Sequence, residues 1–162
     1  MDKQEIYTLL ASRRLWHEIF VHKAVYNMAE MSAVPLPYPE ADAKNLFVRD
    51  DKRQRFYLIT VQGEKRVDLK KFRRKNNTRP LSFASEEELK GLLGLRPGAV
   101  TPLGLLNDAE CKVEFFIDRV FLEPPGIIGV HPNDNTATVF LKTEDLMDLV
   151  RAHGNAVHVA AF

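Results

Sequence analysis

The spacing of hydrophobic positions changes several times along the chain, and each change marks an element. Ile6, Leu9, Leu10 and Leu15 recur at near-helical spacing behind Asp2, a residue suited to cap a helix, so a helix opens the chain. Trp16 to His22 alternates and predicts a short strand, and Val25 to Met31 reads as a second helix. Pro35, Pro37 and Pro39 then exclude regular structure and predict an extended loop that delivers the chain to Lys44. Leu46 to Val48 and Phe56 to Val61 are strand-like. The turn Asp50-Asp51-Lys52-Arg53 between them predicts a hairpin, ended by Gly63. Val67 to Lys75 reads as a short basic helix, and Leu81-Ser82-Phe83 as a brief extended piece. Ser85, with Glu88 three residues on, forms a capping box for a helix that runs to near Gly94. Val113 to Val120 and Ile127 to Val130 are expected strands around the turn Glu123-Pro124-Pro125-Gly126. Thr138 to Leu141 is another strand. Thr143 is expected to cap a last helix through Val150, stopped by Gly154, and Ala156 to Ala161 closes the chain as a strand. There is no repeat and no obvious domain boundary. The expected fold is α+β: a single domain over residues 1–162, with a mixed, mainly antiparallel sheet flanked by helices.

Composition agrees with that expectation. A chain of 162 residues, 45% hydrophobic and 28% charged, is long enough for one soluble domain with its own core. No apolar run approaches the roughly 20 residues that cross a bilayer, so no membrane partner is expected. The polar start Met1-Asp2-Lys3-Gln4-Glu5 is followed by no signal-peptide core, and a cytoplasmic location is expected. Cys111 is the only cysteine, which excludes an internal disulfide and a cysteine metal cluster. The net charge of +1 is unevenly spread. The segment Lys65 to Arg79 holds eight basic residues and one acid, a local +7 that leaves −6 for the remainder. A cationic patch on an otherwise acidic protein suits a polyanion held at one place rather than the general coating of DNA.

Familiar catalytic arrangements are absent: there is no GxSxG elbow, no GxxxxGK[ST] phosphate loop, no GxGxxG and no HExxH. The five histidines give no pair at metal-ligand spacing on a recognisable element, except that His153 and His158 straddle a Gly-Asn turn. Neither a metal nor a cofactor is expected. More informative is Lys44-Asn45 at the mouth of the apolar strand Leu46-Phe47-Val48, which reads as polar groups aimed into a cleft. Two later segments, Gly98-Ala99-Val100-Thr101-Pro102 and His131-Pro132-Asn133-Asp134-Asn135-Thr136, are also polar, turn-forming and set between apolar strands.

Taken together, these segments resemble one family: the freestanding relatives of the editing insertion domain of bacterial prolyl-tRNA synthetase, known as YbaK-like or prolyl-tRNA-synthetase-associated domain proteins. The stretches that carry the resemblance are Ala43 to Phe47, Gly63 to Lys71, Leu81 to Ser85, Leu93-Gly94-Leu95, Pro97 to Gly104 and His131 to Thr138, in family order over nearly the whole chain. The resemblance implies hydrolysis of the ester that joins a wrong amino acid to the 3′ end of a tRNA, with alanyl-tRNA(Pro) as the expected substrate. A prolyl pocket cannot strongly reject the smaller alanine, so a second site destroys what is small enough to enter it. The implied partners are the acceptor end of tRNA(Pro) and prolyl-tRNA synthetase itself.

The resemblance also implies roles. Lys44 would hold the tRNA end through a phosphate or ribose oxygen, and Asn45 would hydrogen-bond the terminal ribose or the aminoacyl group. Gly98, Ala99, Val100, Thr101 and Pro102 form the family's GxxxP loop, whose backbone N–H groups could receive the carbonyl oxygen as charge develops on it. His131 would line the aminoacyl pocket and limit its size. Asn135 and Thr136 would shape the turn. Lys65, Arg66, Lys70, Lys71, Arg73 and Arg74 would bind tRNA phosphates. No side chain presents itself as a nucleophile, so the free 2′-hydroxyl of the terminal adenosine is expected to assist a water. The family often carries a threonine after the His-containing strand, where this chain has Tyr26-Asn27, so Asn27 is expected to alter pocket size or polarity. Serine, cysteine or a non-protein amino acid therefore stay open as the edited residue. A module that grips tRNA or a synthetase without hydrolysing anything stays open too, as does a pocket for a free small amino acid.

Overall fold

The computed structural model describes residues 1–162, the side chains of Met28 and Ser32 excepted. Helix α1 (Lys3–Ser12) begins with a complete capping box: Asp2 accepts from the Glu5 N–H and the Glu5 side chain from the Asp2 N–H. Strand β1 (His17–Val21) follows, then the short helix α2 (Met28–Ser32). The helix expected from Val25 starts three residues later. The Val25 N–H is taken by the Asn135 carbonyl, and Asn27 supplies the cap by accepting from the Glu30 N–H at 2.8 Å. The prolines carry the chain to a single 3-10 turn at Pro39–Ala41.

Strands β2 (Ala43–Asp50) and β3 (Phe56–Gln62) form the expected antiparallel hairpin, with Asn45 opposite Thr60. Helix α3 (Leu69–Asn76) is the basic helix, capped by Asp68. Strand β4 (Leu81–Phe83) pairs with the end of β2, and helix α4 (Glu86–Leu93) carries the Ser85–Glu88 capping box. Strand β5 (Val113–Asp118), strand β6 (Ile127–Val130), strand β7 (Ala137–Lys142), helix α5 (Thr143–His153) and strand β8 (Val157–Ala160) complete the chain.

The strands divide into two sheets, in the orders β1-β7-β6 and β4-β2-β3-β5-β8. Pairing is antiparallel except for β3 with β5 and β5 with β8, so the fold is α+β and mixed, as the hydrophobic pattern implied. Two sequence expectations change. The strand read through Val120 stops at Asp118, because the chain turns into a 3-10 segment at Arg119–Leu122, and β5 and β6, on either side of the Glu123–Gly126 turn, belong to different sheets. Thr143 does not cap α5. Its hydroxyl donates to the Phe121 carbonyl at 2.7 Å, and the preceding Lys142 provides no side-chain cap.

The continuous apolar run of β3 is explained by burial on both faces. Phe56 and Leu58 join Phe47, Phe115 and Ile117 in the main core, which also takes Ile6 and Leu10 from α1, Leu89 and Leu93 from α4, Leu146 and Val150 from α5, and Ile128, Val139 and Leu141 from the three-stranded sheet. Tyr57, Ile59 and Val61 point the other way, to a smaller core that α3 closes with Phe72. The basic helix is thus an amphipathic lid on the outer face of the larger sheet, held by one buried aromatic ring while its cations stay in solvent.

Candidate functional site

One small cavity, of about 190 Å³, opens where the two sheets meet. Its wall brings together Asn27, Lys44, Asn45, Gly98, Val100 and His131, six of the residues singled out in the sequence from four separate segments. Ala99, Thr101 and Pro102 sit behind that wall, buried, and do not line the cavity.

Each lining group is fixed by its neighbours. The Lys44 ammonium donates to the Lys65 carbonyl at 3.2 Å, which leaves two of its three N–H donors for another partner. No carboxylate pairs with it among the described residues. Asn45 accepts a 2.6 Å hydrogen bond from Thr60, its fully buried cross-strand neighbour. That bond fixes the amide orientation and leaves the NH₂ group free to donate. Gly98 holds φ at +86°, and a Cβ there would come within 3.0 Å of the Tyr26 ring, so the loop needs glycine twice over: for its backbone and for the close approach of the opposite wall. The Ala99 N–H closes a turn onto the Arg96 carbonyl at 3.1 Å, whereas the N–H groups of Gly98 and Val100 have no protein acceptor among the described residues. Thr101 ties this loop to the far wall by donating to the His131 carbonyl at 2.6 Å.

His131 is mostly buried, and its Nδ1–H donates to the Ala137 carbonyl at 2.9 Å. Burial pushes its pKa down, outweighing the carbonyl contact that raises it. The ring is therefore neutral at physiological pH, with an unprotonated Nε2. His22 lies 6.1 Å away, centroid to centroid. Its Nδ1–H is satisfied by the Lys23 carbonyl at 2.8 Å, and its Nε2 accepts from the Thr138 hydroxyl at 2.9 Å. The Val25–Asn27 wall is held by the Asn133–Thr136 turn: Asn135 donates from its amide to the Val25 carbonyl at 2.9 Å, and the His22 N–H donates to Thr136.

The hydrophobic pattern gave no hint of Asp42, which reads there as one more polar residue after the proline-rich loop. It lines the cavity two residues before Lys44, and desolvation moves its carboxyl from an ordinary 3.8 up to about 6. Gly129, also in the wall, was passed over as well. A Cβ there would come within 2.7 Å of the Phe140 ring.

The basic segment is less uniform than its composition suggests. Lys65 forms an ion pair of 2.8 Å with the buried Asp118, a structural commitment that balances its charge within the protein. Arg66, Lys70, Lys71, Arg73 and Arg74 are exposed and have no ion-pair partner among the described residues. No group of three or more histidine, cysteine or acidic residues is placed to hold a metal among the described residues. His153 lies 2.7 Å from Asn155, and His158 is 3.4 Å from Glu114. Among the described residues no helix is long and apolar enough to cross a membrane.

Comparisons with known proteins place the chain as a whole. The aminoacyl-tRNA editing domain family matches residues 22–149, a span that contains every cavity residue named above. Prolyl-tRNA editing protein ProX of Acetoanaerobium sticklandii is 39% identical over 153 residues, covering 94% of this chain and 93% of the relative. Prolyl-tRNA synthetase associated domain-containing protein 1 of Mus musculus is 30% identical over 156 residues, covering 94% and 92%. The fold is shared with the crystal structure of a candidate trans-editing enzyme for prolyl tRNA synthetase, with a TM-score of 0.72 at 22% identity over 98% of this chain and 94% of that one. With most of its length and its whole cavity inside the match, the chain belongs to the aminoacyl-tRNA editing domain family.

Proposed function

We propose that this protein is a trans-editing deacylase that hydrolyses mischarged tRNA(Pro), with alanyl-tRNA(Pro) as its substrate. Deacylation as the reaction class follows from the family; the amino acid, the mechanism and the residue roles are our reading. The observation that carries it is the convergence of Lys44, Asn45, Gly98 and His131 on one cavity of about 190 Å³. A space of that size admits an alanyl group; in this reading the shape set by the His131 ring and the Val25–Asn27 wall, and not the volume, selects against the prolyl ring.

In this reading Lys44 grips a phosphate or ribose oxygen of the terminal nucleotide with its two free donors, and the Asn45 NH₂ group holds the ribose. Water, oriented by the 2′-hydroxyl of the terminal adenosine, adds to the ester carbonyl carbon. The carbonyl oxygen becomes an oxyanion that the free N–H groups of Gly98 and Val100 are suited to receive. Collapse of the intermediate breaks the bond to the 3′ oxygen, which takes up the proton that the water gave up, and releases alanine and tRNA. Neutral His131 acts by its bulk. The Asp42 carboxylate, ionised above about pH 6, is placed to receive the α-ammonium of the aminoacyl group. Arg66, Lys70, Lys71, Arg73 and Arg74 supply phosphate contacts along the acceptor stem, positioning the RNA without choosing the amino acid. The work is done in the cytoplasm on tRNA released by prolyl-tRNA synthetase.

The test is ester loss from alanyl-, prolyl-, cysteinyl- and seryl-tRNA(Pro) incubated with the protein. Loss of alanine alone is expected. Preferential loss of cysteine or serine would reassign the substrate, and binding without turnover would make the protein a tRNA-gripping module. An alanyl-tRNA ending in 2′-deoxyadenosine should resist hydrolysis, and its normal turnover would remove the substrate-assisted step.

A further inference from the structure

A second hollow, of about 230 Å³, adjoins the aminoacyl cavity and shares Asn45, Gly98 and Val100 with it. Its character is different. The floor is formed by Phe47 and Leu89, and its edge carries Phe83, a phenylalanine 61% exposed on a three-residue strand. The two hollows have the layout of a 3′-terminal aminoacyl-adenosine: a small group on one side, a flat base on the other, and a ribose between them at Asn45. We infer that the hollow beside Phe83 is the subsite for the 3′-terminal base of the tRNA, with the Phe83 ring as its stacking face. This rests on the deacylase reading above.

Three observations select a base as the occupant. Strand β4 covers β2 only from Val48 to Asp50, so the edge of β2 before Phe47 has no partner strand there. The Ala84 N–H donates to the Phe47 carbonyl; by strand alternation the backbone amide and carbonyl of Asn45, two residues earlier, face the same open edge and offer one donor and one acceptor to the rim of a base. Glu86 also borders the hollow, and its carboxylate disfavours a phosphate there but not a neutral ring. Finally, an aromatic face left in solvent beside a nucleotide-sized gap is the usual means by which single-stranded nucleic acid is held without reading its sequence.

The experiment compares wild type, Phe83→Ala and Phe83→Trp in two assays. Steady-state deacylation of alanyl-tRNA(Pro) should show KM raised about tenfold in Phe83→Ala with kcat little changed, and near wild-type KM in Phe83→Trp. Uncharged tRNA(Pro) with 2-aminopurine as its 3′-terminal base should lose fluorescence on binding wild type and Phe83→Trp, but not Phe83→Ala. Ester hydrolysis with unchanged KM and unchanged quenching in Phe83→Ala would sink the base subsite and leave the deacylase standing. Quenching that depends on Phe83, with no ester lost from any aminoacyl-tRNA, would do the reverse. Because Phe83 is largely exposed, the melting temperature of both variants should match wild type.

Discussion

The cavity beside Lys44 is not the roomiest hollow in this protein. At the other end of the larger sheet, between the start of β3 and the end of α3, lies a polar hollow of about 550 Å³ bordered by Asp50, Arg55, Tyr57, Arg79, Glu114 and His158. It is larger and richer in charge, and several of its polar groups are already held by neighbours. Arg79 makes a two-pronged contact with Asp51 at 2.6 and 3.0 Å, Asp50 accepts the Gln54 and Arg55 N–H groups, and His158 lies 3.4 Å from Glu114 and stacks on Phe116. In the smaller cavity more hydrogen-bonding capacity is open: among the described residues Lys44 keeps two donors, Asn45 keeps its NH₂ group, Gly98 and Val100 keep their N–H groups, and Asp42 is desolvated with no ion-pair partner. Volume alone therefore does not pick out a candidate site; convergent donors on a small cavity do.

That contrast can be broken most sharply at Lys44. Lys44→Ala is expected to lower kcat/KM for alanyl-tRNA(Pro) by about 100- to 1000-fold, the loss typical of removing one preorganised donor, with an unchanged melting temperature. Glu114→Gln, which removes a carboxylate from the larger hollow, should leave turnover as it was. Equal losses from the two variants would erase the distinction. A smaller effect is expected from Thr60→Val, which keeps the shape but frees the Asn45 amide to rotate. Here kcat/KM should fall about tenfold, the worth of one lost hydrogen bond, and wild-type kinetics would show that Asn45 needs no anchor.

The smallest effect, and the one that sharpens the comparison most, concerns Asp42. The folded state raises its pKa, so the protonated carboxyl favours the native protein. Below the ordinary 3.8 that preference is fully present, and it is lost as pH rises through about 6. Relative to Asp42→Asn, wild type should therefore lose melting temperature between about pH 4 and about pH 7. Its deacylation rate should rise across the same window as the carboxylate forms, a limb that Asp42→Asn flattens. Parallel melting curves for the two proteins would show that Asp42 is not desolvated in the cavity.

Local signals were read well from the sequence, and non-local ones were not. The Asp2 cap and the Ser85–Glu88 capping box are satisfied by residues three apart, so they hold wherever the helix docks. Thr143 shows how such a signal fails: placed where a cap belongs, its hydroxyl was recruited by Phe121, 22 residues away in sequence. The Pro124-Pro125 turn was legible between two strands, but a turn fixes only a change of direction, and the pairing of β6 with β7 was not legible from it. Within the candidate site, Lys44 and Asn45 were legible as a polar pair at the mouth of an apolar strand, and Gly98 and His131 through the resemblance of their segments to the family. Asp42 was not, since nothing about an acid after prolines distinguishes one in solvent from one losing it.

What the sequence determined by itself is the set of elements and the chemistry available: the alternation that makes β2 and β3, the amphipathic basic helix, and a family of polar segments without a nucleophile. Tertiary structure decided which of those groups remain available. It joined Lys65 to the buried Asp118 while Arg73 and Arg74 stayed exposed, fixed His131 as a neutral ring, and raised the carboxyl of Asp42. The reason is that a side chain's identity is set along the chain, whereas its charge state and its free hydrogen bonds depend on solvent and on neighbours that only the packed fold brings near.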